Sequence, residues 1–336
     1  MSKKLVAAAA ASLIAVLAVT GCSKPAETTA QKPAETQPAA EQKPAAYDIK
    51  SKIPWAGKEI QKPEKFFEEI NGVKHFYLYV EEKEWEILKG VVVPAWTFNG
   101  TVPGPEIRVK KGDKVAVHFK NTSSQPHSIH FHGQLGLSQA MDGVPATSAT
   151  VNPDKEFVYE FDAVNSGTLM YHCHVATYYH VDMGLYGAFN VEDPEDPKYD
   201  KEYTFILDDW AVGTMDPFKL ATKQDYNYFT VNGKAFPETT PIEGKVGEKV
   251  RVRFINMGYR SFSIHSHGYG GLITHLDGYK FPTPYMRDVF TVAPGERMDV
   301  EVTLREGIYP WHDHQLENVL NNGEYLGGAT FLVIGK

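Results

Sequence analysis

Eight of the 13 histidines fall into four His-x-His pairs: His130/His132, His172/His174, His265/His267 and His312/His314. On a strand alternate residues share a face, so each pair projects two imidazoles the same way. Between His172 and His174 sits Cys173, whose thiol would point to the opposite face. One backbone can therefore serve two metal sites, back to back. A cysteine with two histidines and a weak or absent axial donor is the composition of a blue-copper centre, and paired imidazoles suit a copper cluster. A single such pair would mean little, because alternating histidines are common on ordinary strands. Four pairs at matching places make a metal cluster the better reading.

Such pairs need strands, and the chain supplies them. Residues 75–80, 114–119, 157–161, 203–207, 249–254 and 298–304 alternate apolar and polar side chains or end in turn residues, which is the pattern of sandwich strands. No long amphipathic helix competes. The chain also repeats itself. Phe98-Asn-Gly-Thr-Val-Pro, Lys111-Gly-Asp-Lys-Val, Asn121 and Ser128-Ile-His-Phe-His-Gly are answered by Val231-Asn-Gly-Lys-Ala-Phe-Pro, Val246-Gly-Glu-Lys-Val, Asn256 and Ser263-Ile-His-Ser-His-Gly. The expected fold class is all-β, two tandem β-sandwich domains spanning 66–193 and 194–336, with the seam in the proline-rich stretch 193–197.

The N-terminal region reads differently. Lys3-Lys4, an apolar run from Leu5 to Val19, and Val19-Thr-Gly-Cys22 have the layout of an export signal over 1–22, and the last four residues resemble a bacterial lipobox with Cys22 lipidated. Residues 23–46 repeat Lys-Pro-Ala-Glu themes without an aromatic or large aliphatic side chain, and 23–65 is read as a flexible tether. The expectation is an exported lipoprotein, in the periplasm or at the cell surface, with Ser23 favouring the outer membrane and no membrane contact beyond the lipid. There are two cysteines. With Cys22 lipidated, Cys173 has no disulfide partner, and an unpaired thiol in an oxidising compartment calls for an occupant. A net charge of -8 without any basic block after the signal excludes nucleic acid as a partner.

Phe98-Asn-Gly-Thr-Val-Pro-Gly-Pro, His130-Phe-His-Gly, Met141-Asp-Gly-Val-Pro and Tyr171-His-Cys-His resemble the multicopper oxidases, specifically a small two-domain, laccase-like member. The resemblance covers about 70–336 and implies cupredoxin-like Greek-key domains. It assigns a type 1 copper to His127, Cys173 and His180. The axial place falls on Leu185, five after His180, with Met183 as the alternative. His180 follows Cys173 by seven residues where most laccases use five, which implies a longer loop beside the copper. His130 and His265 would hold the type 2 copper. His132, His172, His174, His267, His312 and His314 would hold the type 3 pair, for about four coppers per chain. His172 and His174 then flank the thiolate covalently as a short electron path. Asp142 matches an acidic residue that supplies protons to dioxygen reduction, although an Asp-Gly turn accounts for it equally. Asp277 sits similarly in the second domain. Phe262 stands where His127 does and Asp313 replaces the cysteine, so the second domain is expected to lack a type 1 centre.

The implied reaction is one-electron oxidation of a reducing substrate coupled to four-electron reduction of O2 to water. The donor stays open among phenols, aromatic amines, metal ions and a redox protein. In the small two-domain members that the chain resembles, the cluster forms where domain 1 of one subunit meets domain 2 of the next, so the resemblance implies a homotrimer. Two rivals remain. A copper nitrite reductase would carry an aspartate at His130 and a non-ligand at His174. A non-catalytic copper-binding electron-transfer lipoprotein would leave the paired histidines idle. His75, His118 and His275 fall outside the pattern, with a packed or surface role as their default.

Overall fold

Alternating side chains and frequent glycine turns give a computed structural model built almost wholly of strands, described for residues 62–213 and 225–336. Cys22 and the export signal lie outside the described residues, as does most of the expected tether. Residues 62–65 of that tether lie against the first domain, with Lys62 Nζ 3.1 Å from Glu81.

The first domain holds β1 (Phe67–Ile70), β2 (Val73–Leu88), β3 (Val91–Phe98), β4 (Gly104–Lys110), β5 (Lys114–Lys120), β6 (His130–His132), β7 (Glu156–Asp162), β8 (Gly167–His172) and β9 (Tyr186–Glu192). One sheet runs β1-β2-β5-β7 with β3 on β2, and the other runs β4-β9-β8-β6. The second domain holds β10 (Lys201–Trp210), β11 (Tyr228–Val231), β12 (Ile242–Gly244), β13 (Lys249–Asn256), β14 (Phe262–Ser266), β15 (Gly271–Leu276), β16 (Tyr279–Arg287), β17 (Val289–Val292), β18 (Arg297–Thr303), β19 (Gly307–Asp313), β20 (Leu320–Asn321), β21 (Glu324–Tyr325) and β22 (Thr330–Gly335). Its sheets run β11-β10-β13-β18-β15-β16 and β12-β22-β19-β14-β17. The parallel pair β2/β5 recurs as β10/β13, and the parallel pair β4/β9 recurs as β12/β22. The sequence repeat is thus a repeat of topology. The stretch 193–197 lies between β9 and β10.

The repeated asparagines explain themselves. Asn99 and Asn232 adopt left-handed backbone angles, φ 57° and 53°, and each side chain brackets the neighbouring strand. Asn99 accepts from Tyr79 N and donates to Tyr77 O, and Asn232 does the same with Ile206 and Thr204. Short polar side chains tolerate that conformation and bond locally.

Each sandwich has its own core, and a third apolar cluster joins the domains. Val102, Met170, Tyr186 and Ala188 meet Ile206, Trp210, Ile255 and Met257 there. Beside it the wholly buried Asp299 is held by Arg251 at 2.5 Å, by Thr168 of the first domain and by Arg253. Charges this deep are tolerated only when paired and hydrogen-bonded.

Candidate metal centre

Three elements converge on Cys173. The stretch after β5 carries His127, which exchanges two backbone bonds with Val151. Asn121, fully buried, fixes that stretch by donating to Gln125 O and Val151 O at 2.7 Å each. Cys173 follows the last residue of β8, and its amide bonds Leu185 O at 3.0 Å. The extra residues before His180 form a single helical turn, α1 (Thr177–His180), rather than an open loop. Ala176, at φ 42°, reverses the chain into it, and Thr177 Oγ1 donates to His174 O.

The result is a buried triangle of donor atoms. His127 Nδ1 lies 3.4 Å from Cys173 Sγ and 3.1 Å from His180 Nδ1, and the third edge, Cys173 to His180, is 3.3 Å. Such a triangle leaves a point about 1.9 Å from each corner, close to the ~2.0–2.3 Å at which imidazole and thiolate bind a first-row ion. Burial pushes the Cys173 thiol up to about 12, holds His180 down to about 4 and keeps His127 well below its ordinary value. Two neutral imidazoles and a thiol that only a bound cation would keep ionised are a donor set suited to copper. Trp96 sets its ring edge-on against His180 at 4.5 Å and His127 at 5.3 Å, closing the site to water. Leu185 and Met183 both pack in the core cluster that holds Cys173. The backbone of Leu185 bonds both His180 and Cys173, whereas Met183 O accepts from Trp96.

On the other side of that backbone, His130 of β6 pairs directly with His172 of β8. Five of the six ring pairs among His130, His132, His172 and His174 have centroids 5.3–5.9 Å apart. His130, His132 and His172 bring ligand atoms within 4.8 Å of one another. Backbone carbonyls choose the tautomers, because a carbonyl can only accept. His172 Nδ1 donates to Cys173 O at 2.9 Å and His130 Nδ1 to Asp142 O at 2.8 Å, leaving each Nε2 free as a donor atom. Burial holds His172 down to about 3 and, with Arg297 alongside, His132 to about 4. A cavity of about 430 Å3 opens beside His132 and His172, with Asp182, Met257 and Tyr259 on its wall.

The second domain repeats this half-site. His265 pairs with His312 across β14/β19, and their Nδ1 atoms donate to Asp288 O and Asp313 O. His267 Nε2 and His312 Nε2 face each other at 3.0 Å. His267 and His314 are exposed. Among the described residues, no ring contact or hydrogen bond joins these four rings to the four of the first domain. Where the first domain has its thiolate triangle, the second has buried Phe262 and Asp313, the latter accepting from Ser263 N, Gln315 N and Asn318.

Asp142 Oδ1 lies 3.2 Å from His130 Nδ1, and Gly143 follows at φ 72°, where a Cβ would collide with Ile129 O. The Asp-Gly turn and the imidazole contact therefore coexist. Asp277 instead pairs with Arg297 at 3.0 Å. Sequence reasoning passed over Trp96 and the α1 turn. The one signal for Trp96 was its place two residues before the repeated Phe98-Asn-Gly.

Multicopper oxidase family models match residues 79–196 and 211–326. The multicopper oxidase MmcO of Mycobacterium tuberculosis is 32% identical over 258 residues, which are 66% of this chain and 50% of that protein. The chain thus spans about half the length of that curated relative. A copper-containing nitrite reductase of Neisseria meningitidis is 29% identical over 72% of this chain and 65% of its own. The crystal structure of the blue copper oxidase from Nitrosomonas europaea superposes with a TM-score of 0.72 at 34% identity, covering 78% of this chain and 85% of that one. With two cupredoxin-like sandwiches and a donor set suited to copper, the chain belongs to the multicopper oxidase family.

Proposed function

We propose that the protein oxidises a reducing substrate one electron at a time at the His127–Cys173–His180 site and reduces O2 to water at a cluster of the eight paired histidines. One observation carries this reading: Cys173 faces one donor set while its chain neighbours His172 and His174 belong to another. Copper bound there would supply the one-electron and four-electron chemistry, with one type 1, one type 2 and two type 3 ions, about four per chain. The residues orient and shield it. Trp96 and the apolar side chains around Cys173 would exclude water from a copper held by His127, Cys173 and His180, with Leu185, or in second place Met183, as the apolar or weakly donating neighbour beside it. Carbonyl-anchored rings present Nε2 atoms in fixed directions. Asp142 holds a carboxyl group against His130, where it can pass protons inward.

The half-cluster of domain 2, with His267 and His314 exposed and His265 and His312 half-buried, supports a homotrimer in which these rings meet domain 1 of the next subunit. Export, lipidation at Cys22 and an outer-membrane destination rest on the sequence alone; mass spectrometry of the mature N-terminus checks them. The donor is a phenol, aromatic amine, metal ion or redox protein. Relatives among nitrite reductases give the rival reading, which His130 and His174 disfavour because both are imidazoles. Oxygen uptake by copper-loaded protein, scanned over a donor panel, tests the proposal. His132→Ala should abolish uptake and keep the blue absorption. About two coppers per chain with nitrite turnover would favour the reductase, and about one without turnover a carrier.

A further inference from the structure

We propose that Glu82 is a proton-responsive positioning residue, whose carboxyl, set between solvent and Trp96, ties the potential of the His127–Cys173–His180 centre to pH. The inference rests on the copper reading of that centre. Alternation puts the side chain there. Phe76, Leu78 and Val80 of β2 face the core of the first domain, and Glu82 is the next residue on that face. In the antiparallel register Val80 is opposite Phe98 and Glu82 opposite Trp96. The pairing of β2 with β5 ends at Lys120, and the stretch leading to His127 takes over that edge of β2. Thr122 Oγ1 donates to Val80 O, and Ser124 donates to Glu82 Oε1 from N at 3.2 Å and from Oγ at 3.4 Å. The Trp96 indole, which can only donate, bonds the same carboxyl. One carboxyl therefore touches both the chain that carries His127 and the ring that lies edge-on to His180 at 4.5 Å and His127 at 5.3 Å.

The second domain shows what a carboxyl at this place does by itself. There Asp209, opposite Phe229 in the register, accepts from Tyr259 N at 3.2 Å and Arg260 N at 2.9 Å and so fastens the corresponding stretch. Phe229 has no N–H to offer, and no thiolate lies behind it. Of the two carboxyls, only Glu82 faces an indole that rests on candidate metal ligands. Burial pushes the Glu82 carboxyl up to about 7, against the opposite pull of Ser124 and Trp96. No neighbouring charge contributes. On β2, Glu81 pairs with Lys62, Lys83 reaches Gly100 O, and Glu84 is exposed. β3 has no titratable side chain, the stretch 121–127 has only His127, and α1 presents Tyr179 and His180 across Trp96. Ser124 is exposed, so the carboxyl beside it can exchange its proton with solvent. Glu82 is thus neutral below about pH 7 and charged above it. A negative charge beside the centre favours Cu(II) over Cu(I), so the midpoint falls as the pH rises.

The test follows the midpoint of the blue centre in full-length copper-loaded protein from about pH 5.5 to about pH 8.5, across the Glu82 value. The parent midpoint should fall on the order of 30–60 mV, a threefold to tenfold change in the relative affinities for the two oxidation states. Glu82→Gln keeps an acceptor for Ser124 and Trp96 but cannot ionise. Its midpoint should hold the parent's low-pH value throughout, with the blue absorption retained. Trp96→Phe, which keeps the carboxyl and removes one donor to it, should move the inflection to higher pH; an unmoved inflection would overturn the link through Trp96. A carboxyl that only fastens the stretch would give the parent and Glu82→Gln the same pH curve. That result, or a flat curve in the parent, would overturn the assignment and leave the copper centre in place. Absence of a blue band from the parent would instead overturn the copper reading, and this inference with it.

Discussion

Leu185 and Asp142 carry the expectations that belong to single residues. A leucine at the axial place withholds a weak donor and favours Cu(I), raising the potential. Leu185→Met restores a thioether, and the midpoint should fall on the order of 60 mV, a tenfold change in the relative affinities for the two oxidation states. A redox titration with an unchanged midpoint would exclude Leu185 as the axial neighbour. For Asp142, asparagine keeps the turn, since Gly143 and the backbone bond from His130 remain, but it removes the acid. Oxygen turnover by Asp142→Asn should fall on the order of 100-fold. Anaerobic reduction of the blue centre by the donor should keep its rate; a matching loss there would make Asp142 a structural residue only.

The duplicated elements provide an internal control. Asn121 fixes the stretch before His127, and Asn256 makes the same bonds to Arg260 O and Val292 O in the second domain. Both side chains are fully buried, so Asn121→Ala and Asn256→Ala should each cost about 2–3 kcal/mol in denaturant unfolding. Only Asn121→Ala should move the blue absorption band, because only its stretch ends at a thiolate site. Equal spectra for the two variants would mean that Asn121 does not position His127. Strands of this kind were legible in the sequence because alternation and Asn-Gly turns are local signals. The α1 turn was not, since Thr177-Tyr-Tyr-His180 shows no apolar period and is set up by the left-handed Ala176 and the Thr177 bond to His174. Nor was the hydrogen-bonded His75/His118 pair, which depends on the register between β2 and β5 rather than on spacing along either strand.

At the scale of the whole molecule, the duplication predicts that both domains bear half-sites, but not where the halves lie in space. That depends on how Val102, Met170 and Tyr186 pack against Ile206, Trp210 and Met257, contacts between segments far apart in the chain. In this packing each set of four rings gathers on its own domain, and His267 and His314 face solvent. A ring of three subunits would complete each cluster from two chains, and complementation tests that directly. His132→Ala disables the half-site of domain 1, and His267→Ala disables that of domain 2, so each variant alone should be inactive. In trimers assembled from an equal mixture, an interface is intact when domain 1 comes from a His267→Ala subunit and domain 2 from a His132→Ala subunit. Random assembly makes about a quarter of interfaces so, and oxygen uptake should recover to about a quarter of the parent value. If each cluster formed within one chain, mixing would recover nothing, and light scattering would give an active monomer.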